Sequence, residues 1–235
     1  MDRFVITGLP CPASRWEAFL GSRPGQRILS VREVFENTEG SDLRQISKYV
    51  TREIDRCRPR SILCHDLGVP MTLMSLLRIQ REHPDYRPRV TAFNGAFRGV
   101  NPVTANTLLK MQFTTRKRAI AGVKAQGGDV DLGLTPYMPR IRALYRQLIL
   151  FRVTEQLSAT FGLDDLVGLR NARRLRTPLQ VVASPDDPFL PVEAVRRLSR
   201  DFHARRLVEV PYGHFPYSVP RERLLPYVED FERVG

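Results

Sequence analysis

The stretch Ser61-Ile62-Leu63-Cys64-His65-Asp66-Leu67-Gly68-Val69-Pro70 decides how this chain is read. Its first four residues have strand character. Pro70 suits the first turn of a helix, where a missing amide hydrogen costs nothing. The turn between them must be sharp, and a sharp turn brings strand and helix backbones together, so small residues are needed near its centre. Cys64 and Gly68 supply them, two positions before and after Asp66. Aspartate is among the few side chains that adopt positive φ readily, so it can occupy the apex.

Working outward, short β-branched or aromatic runs alternate with longer amphipathic stretches, the pattern of a mostly parallel sheet wrapped by helices. Strands are predicted near Phe4 to Thr7, Arg27 to Val31, Ser61 to Cys64, Val90 to Phe93, Leu179 to Ala183 and Leu207 to Val210. Helices are predicted at Ser14 to Leu20, Asp42 to Arg56, Pro70 to Glu82 and Val192 to Phe202, with a last one after Pro220. The gap between Phe93 and Leu179 far exceeds a crossover. Its stretches Thr104 to Gln112, Arg140 to Val153 and Leu163 to Arg174 space leucine, isoleucine and phenylalanine at helical intervals, and Gly127-Gly128 marks a turn. The organisation expected is a core of residues 1–98 and 176–235 with a helical cap of residues 99–175.

Composition narrows the class. At 235 residues and 42% apolar content, one globular domain with an insertion fits better than two bodies. No run approaches the 18 apolar residues of a membrane span, and the opening Met-Asp-Arg-Phe-Val-Ile-Thr-Gly lacks signal-peptide character. Cys11, Cys57 and Cys64 form neither a disulfide framework nor a zinc motif, so a reducing cytoplasm is expected, with no metal and no cofactor. The net charge of +12 comes mainly from scattered arginines, densest at Arg173, Arg174 and Arg176. That scatter argues against nucleic acid and fits a solvated surface, or a basic rim that steers an anionic substrate or a carrier-protein partner. A homodimer is equally compatible.

Two further motifs follow strands. Ser184-Pro185-Asp186-Asp187-Pro188-Phe189-Leu190-Pro191 resembles a GxxDxxxP loop, whose register favours Asp187 as an acid and keeps Asp186 as the alternative. Pro211-Tyr212-Gly213-His214-Phe215-Pro216 offers His214 in a Gly-His loop. With the turn at Asp66, these resemble the α/β-hydrolase fold, which places nucleophile, acid and histidine in that chain order. Near the N-terminus, Thr7-Gly8-Leu9-Pro10, followed later by Trp16, is similar to the HGxP segment of epoxide hydrolases and haloalkane dehalogenases, with Thr7 in place of the histidine. The resemblance covers the chain but begins at the HGxP strand. It implies Asp66 as nucleophile, Asp187 and His214 as the acid–base pair, and the backbone amides of Leu9 and Leu67 as an oxyanion hole. His65, beside Asp66, is expected to line the pocket floor.

A carboxylate is already ionised and can attack a saturated carbon, giving an alkyl-enzyme ester that histidine-activated water then hydrolyses. Leu67 stands where the dehalogenases place a halide-binding tryptophan, and Leu67-Gly68-Val69-Pro70 lacks the arginines of fluoroacetate dehalogenases. Epoxide hydrolases use two cap tyrosines to protonate the opening oxygen, and the cap here contains Tyr137 and Tyr145. The leading expectation is epoxide-hydrolase-like chemistry on a small molecule. A non-hydrolytic cyclase, isomerase or lyase and a catalytically silent binding protein stay open beside it.

Overall fold

The computed structural model describes residues 1–39, 43–95, 116–144 and 175–233. In chain order these form β1 (Arg3–Ile6), α1 (Ala13–Leu20), β2 (Gln26–Leu29), α2 (Val31–Glu36), α3 (Leu43–Cys57), β3 (Ser61–His65), α4 (Gly68–Glu82), β4 (Arg89–Phe93), α5 (Arg116–Ala125), a 3-10 turn (Leu132–Tyr137), α6 (138–144), β5 (Leu179–Ala183), α7 (Val192–Asp201), β6 (Arg206–Glu209) and α8 (Leu225–Arg233).

The six strands make one sheet in the order β2-β1-β3-β4-β5-β6, every neighbouring pair parallel. Parallel strands covered on both faces read as continuous apolar runs, and Phe4-Val5-Ile6 and Val181-Val182-Ala183 are fully buried. Alternate side chains enter opposite cores. Phe4, Ile6, Ile62, Cys64, Val90, Ala92, Leu179 and Val181 pack with residues of α2, α3, α4 and α7. Val5, Leu63, Phe93, Val182 and Val208 pack on the other face with α1 and α8, around the fully buried Trp16. Each apolar side chain so enclosed contributes about 1.5–3 kcal/mol, which holds the strand ends rigid enough to carry a site.

Two differences from the expected elements have local causes. The second strand stops at Leu29 and not Val31, because Ser30 caps α2 by accepting the Glu33 amide at 3.1 Å, a capping-box spacing. Helix α4 begins at Gly68, which leaves Pro70 still within the first turn.

Topology selects the place for a site. The chain leaves β1 for β2 on one side and returns to β3 on the other, so the connections after β1 and β3 diverge and open a crevice at the carboxyl edge. Those connections carry Gly8-Leu9 and Asp66. Of the segment expected as a cap, residues 116–144 are described, and their contacts are at this same edge. Asp131 N donates to Pro10 O at 3.0 Å, Arg140 donates to Phe35 O at 2.7 Å, and Asp129 pairs with Arg15. The helical stretches expected at Thr104 to Gln112 and Leu163 to Arg174 lie outside the described residues.

Candidate active site

Asp66 sits at the apex between β3 and α4 with φ 48°. The turn is closed by Val69 N donating to Asp66 O at 3.1 Å and tied to β4 by Asp66 N donating to Phe93 O at 3.2 Å. Two glycines make the geometry feasible. A Cβ on Gly68 would lie 2.4 Å from Ile6 O, and one on Gly8 would lie 2.5 Å from Asp66 Cβ, so neither position admits a side chain. That close approach brings Leu9 N to Asp66 Oδ2 at 3.1 Å. The Leu67 amide stabilises the same carboxylate. The two amides expected as an oxyanion hole thus both act on the Asp66 carboxylate, that of Leu9 on Oδ2. Burial pushes the Asp66 carboxyl above the usual range, an effect that the neighbouring His214 and the two amides partly offset.

The acid–histidine pair is formed by Asp187. Its Oδ2 meets His214 Nδ1 at 2.7 Å, and its Oδ1 accepts the amides of Phe189 and Leu190 at 2.7 and 2.9 Å. Asp187 is thereby fixed in position, with its side chain wholly enclosed. Asp186, the alternative, has a different task. Its Oδ1 accepts from Ser184 Oγ and from Gly213 N, the latter at 3.0 Å, which ties the acid loop to the histidine loop. Around His214 the rings of Phe189 and Phe215 stand edge-on at 5.0 and 4.8 Å. Burial disfavours the imidazolium there, but the hydrogen bond and charge of Asp187, with the charge of Asp66, outweigh it and hold the His214 pKa above its ordinary value. The Nδ1–H directed at Asp187 leaves Nε2 as the nitrogen that can accept a proton.

Sequence reasoning missed Asn94. It follows β4, is fully buried with φ 37°, and grips both loops at once. Its Oδ1 accepts Ser184 N at 2.8 Å, while its Nδ2 donates to Gly213 O at 2.8 Å and to His214 O at 3.2 Å. The only sequence signal was Phe93-Asn94-Gly95, a turn-prone pair at a strand end.

His65, expected to line the pocket floor, is fully buried beneath the elbow, its ring 5.0 Å from that of His214. Its Nε2 lies 2.9 Å from His214 O, and since a carbonyl only accepts, Nε2 carries the proton. Nδ1 is then the acceptor that faces Cys11 Sγ at 3.7 Å. Burial, reinforced by the charge of His214, depresses its pKa well below the ordinary value. His65 is a neutral prop for the histidine loop.

Tyr137 is likewise engaged elsewhere. Its ring stacks on Phe35 at 6.0 Å with the Arg140 guanidinium 5.8 Å from its centroid, the arrangement of a packing residue. Tyr145 lies outside the described residues. Thr7, which stands in place of the family's histidine, accepts Val31 N at 3.2 Å and so anchors the start of α2. Among the described residues no group of three or more His, Cys, Asp or Glu side chains could hold a metal ion, and no helix is long and apolar enough to cross a membrane.

No family model matches the sequence, and comparison with curated proteins finds no match. Solved structures do match. A 2-hydroxy-6-oxo-6-phenylhexa-2,4-dienoate hydrolase from a Rhodococcus strain is 14% identical with a TM-score of 0.66, covering 99% of this chain and 91% of its own. A thermophilic esterase from Thermogutta terrifontis is 13% identical with a TM-score of 0.59, covering 99% and 89%. An α/β hydrolase fold protein from Burkholderia ambifaria is 18% identical with a TM-score of 0.58, covering 97% and 90%. The chain has the α/β-hydrolase fold.

Proposed function

We propose that this protein is a hydrolase that opens an epoxide, or a similarly strained small electrophile, through an ester on Asp66. The observation that carries the reading is the hold on the Asp66 carboxylate at the elbow apex, with Oδ2 bound by the Leu9 amide, next to a histidine oriented by Asp187. The hydrolase and esterase named among the structural neighbours support a hydrolytic reaction in general.

In the first step Oδ1 attacks a ring carbon, the carbon–oxygen bond of the epoxide breaks, and the released oxygen takes a proton. Tyr137 packs against Phe35, so we assign the donor to Tyr145. In the second step His214 Nε2 removes a proton from water, and the hydroxide attacks Cγ of the ester. The oxyanion forms on Oδ2, which the Leu9 amide already meets. Collapse expels the diol with the original Oδ1, which takes the proton held by His214; Asp66 keeps the oxygen of water and gives up that oxygen's remaining proton, which restores the Tyr145 phenol.

A second reading uses the same residues without an ester. The raised pKa of Asp66 suits a base that would isomerise or cyclise a substrate. One experiment separates the two. His214→Gln exposed to styrene oxide should gain the mass of that epoxide on the peptide containing Asp66, and Asp66→Ala should gain none. With native protein in water labelled with heavy oxygen, a single turnover should put unlabelled oxygen into the diol and label into Asp66. Labelled diol in the first turnover, together with an adduct-free His214→Gln protein, would overturn the ester route.

A further inference from the structure

Opposite the candidate active site, at the amino edge of the sheet, a cleft of about 550 Å³ is lined by Arg58, Arg60, Arg87, Arg89 and Arg205 together with Tyr86, Pro59, Pro88 and Pro178. We propose that it binds a small anion carrying two or more phosphoryl groups.

The placement follows from the strands. Arg60 directly precedes β3, Arg89 opens β4, Pro178 precedes β5 and Arg205 precedes β6, so adjacent parallel strands begin around one hollow. A strand of five residues spans about 17 Å at roughly 3.3 Å per residue, which separates this cleft from Asp66 at the far end of β3. It is a second site and not a vestibule of the first.

The walls are organised and lack acids. Tyr86 Oη donates to Pro59 O at 3.0 Å, its backbone carbonyl accepts from Gln80 Nε2 at 2.9 Å, and the Arg58 guanidinium lies over its ring at 5.0 Å. Arg89 donates to Glu232 O at 2.6 Å. Arg58 pairs with Asp55, but no carboxylate lines the cleft itself. Arg60 and Arg205 are exposed and have no acidic partner among the described residues.

The chemistry of the lining selects the ligand. Guanidinium groups match phosphate oxygens with paired hydrogen bonds and are weakly hydrated, so they suit partly enclosed anion sites. Five of them around one hollow exceed what a single monoanion needs. A volume in the range of about 300–1,000 Å³ is that of a small-molecule site. Its single hollow contrasts with the extended basic stripe that tracks a nucleic-acid backbone.

Calorimetric titration with inorganic tripolyphosphate at fixed ionic strength tests this. Native protein should bind it saturably, and about ten-fold or more tighter than orthophosphate, because the additional phosphoryl groups engage additional arginines. The double variant Arg60→Gln/Arg205→Gln should lose about ten-fold or more, with unfolding unchanged because neither side chain has a partner to lose. Arg15→Gln/Arg32→Gln removes the same charge from exposed arginines near the carboxyl edge and should bind within about two-fold of native, since screened surface charges act weakly at a distance. Asp66→Asn should bind as native does. Equal weakening in both double variants would reduce the effect to general surface charge. Absence of saturable binding would overturn the proposal. So would a DNA duplex that binds more tightly than tripolyphosphate and is lost with the Arg60/Arg205 pair.

Discussion

Removing the Asn94 side chain should loosen both loops that orient His214. Asn94→Gly is the cleanest form, because glycine accepts the φ of 37° without steric cost and only the side-chain bonds are lost. Ser184 N lies in a fully buried residue and would become an orphan donor, at about 1–3 kcal/mol. Gly213 O and His214 O each lose a donor. The first lies in a partly exposed residue that water can reach and the second keeps His65 Nε2, so the two together add about 1 kcal/mol. The expected loss is about 2–4 kcal/mol, or about 4–16 °C in Tm at roughly 2–4 °C per kcal/mol for a chain of this size. Glycine adds at most about 1 kcal/mol through the unfolded chain. Denaturant unfolding gives the energy, and the imidazole signal of His214 should titrate at lower pH than in native protein as its hold on Asp187 slackens. Asn94→Asp is the control. It keeps the acceptor for Ser184 N but sets a carboxylate against two carbonyls. The introduced carboxyl is favoured protonated when folded, so its deficit should shrink as pH falls. A loss under about 1 kcal/mol in Asn94→Gly, with an unmoved His214, would refute the clamp.

Asp66→Asn should stabilise the protein at neutral pH. Burial raises the folded pKa of Asp66 above its unfolded value, so ionisation costs stability as pH rises through the folded pKa. The gain in Tm over native protein should therefore shrink as pH falls from the folded pKa and vanish only below the lower, unfolded value, and thermal melts across pH read it directly. Gly8→Ala should cost about 1–3 kcal/mol by overpacking, since the new methyl would sit 2.5 Å from Asp66 Cβ and 2.8 Å from His65 O. By moving the Leu9 amide off Asp66 Oδ2 it should also slow adduct formation with styrene oxide in the His214→Gln background. Unchanged unfolding together with an unchanged adduct rate would contradict the close approach.

The strands were legible because burial on both faces writes itself as apolar runs, as in Phe4-Val5-Ile6, and the elbow because Asp66 stands between small residues at a strand-to-helix junction. What sequence could not carry was direction. His65 adjoins Asp66 in the chain, yet His65 ends β3 fully buried while Asp66 stands at the apex of the turn beyond it. Tyr137 has the composition of a cap donor, but its ring finds Phe35, a contact across about 100 residues that no local pattern announces. Asn94 was silent for the same reason, since its three partners belong to loops about 90 and 120 residues away. Helix α2 was legible in principle, because Ser30 and Glu33 have capping-box spacing and Ser30 Oγ accepts the Glu33 amide, but β-branched Val31 drew the strand past its end. The amino-edge cleft shows the converse. Arginines that look scattered along the chain gather because parallel strands all begin at one edge.

The two carboxylates near His214 act on it differently, and the difference bears on the proposed route. Asp187 is locked by the amides of Phe189 and Leu190, so its hydrogen bond to His214 is built into the loop and does not depend on what occupies Asp66. Asp66 contributes to the raised pKa of His214 only while it is ionised. An ester formed through Oδ1 removes that charge and leaves the carbonyl Oδ2 on the Leu9 amide. Burial, which opposes the imidazolium, then meets less resistance, and His214 shifts toward the neutral form. Neutral imidazole is the form that can take a proton from water. In the free protein His214 is biased toward its charged form, which steadies the buried Asp66 carboxylate before attack. One electrostatic coupling therefore favours each protonation state in the step that uses it, and it requires an aspartate at the elbow. A serine there would present no charge for the ester to remove.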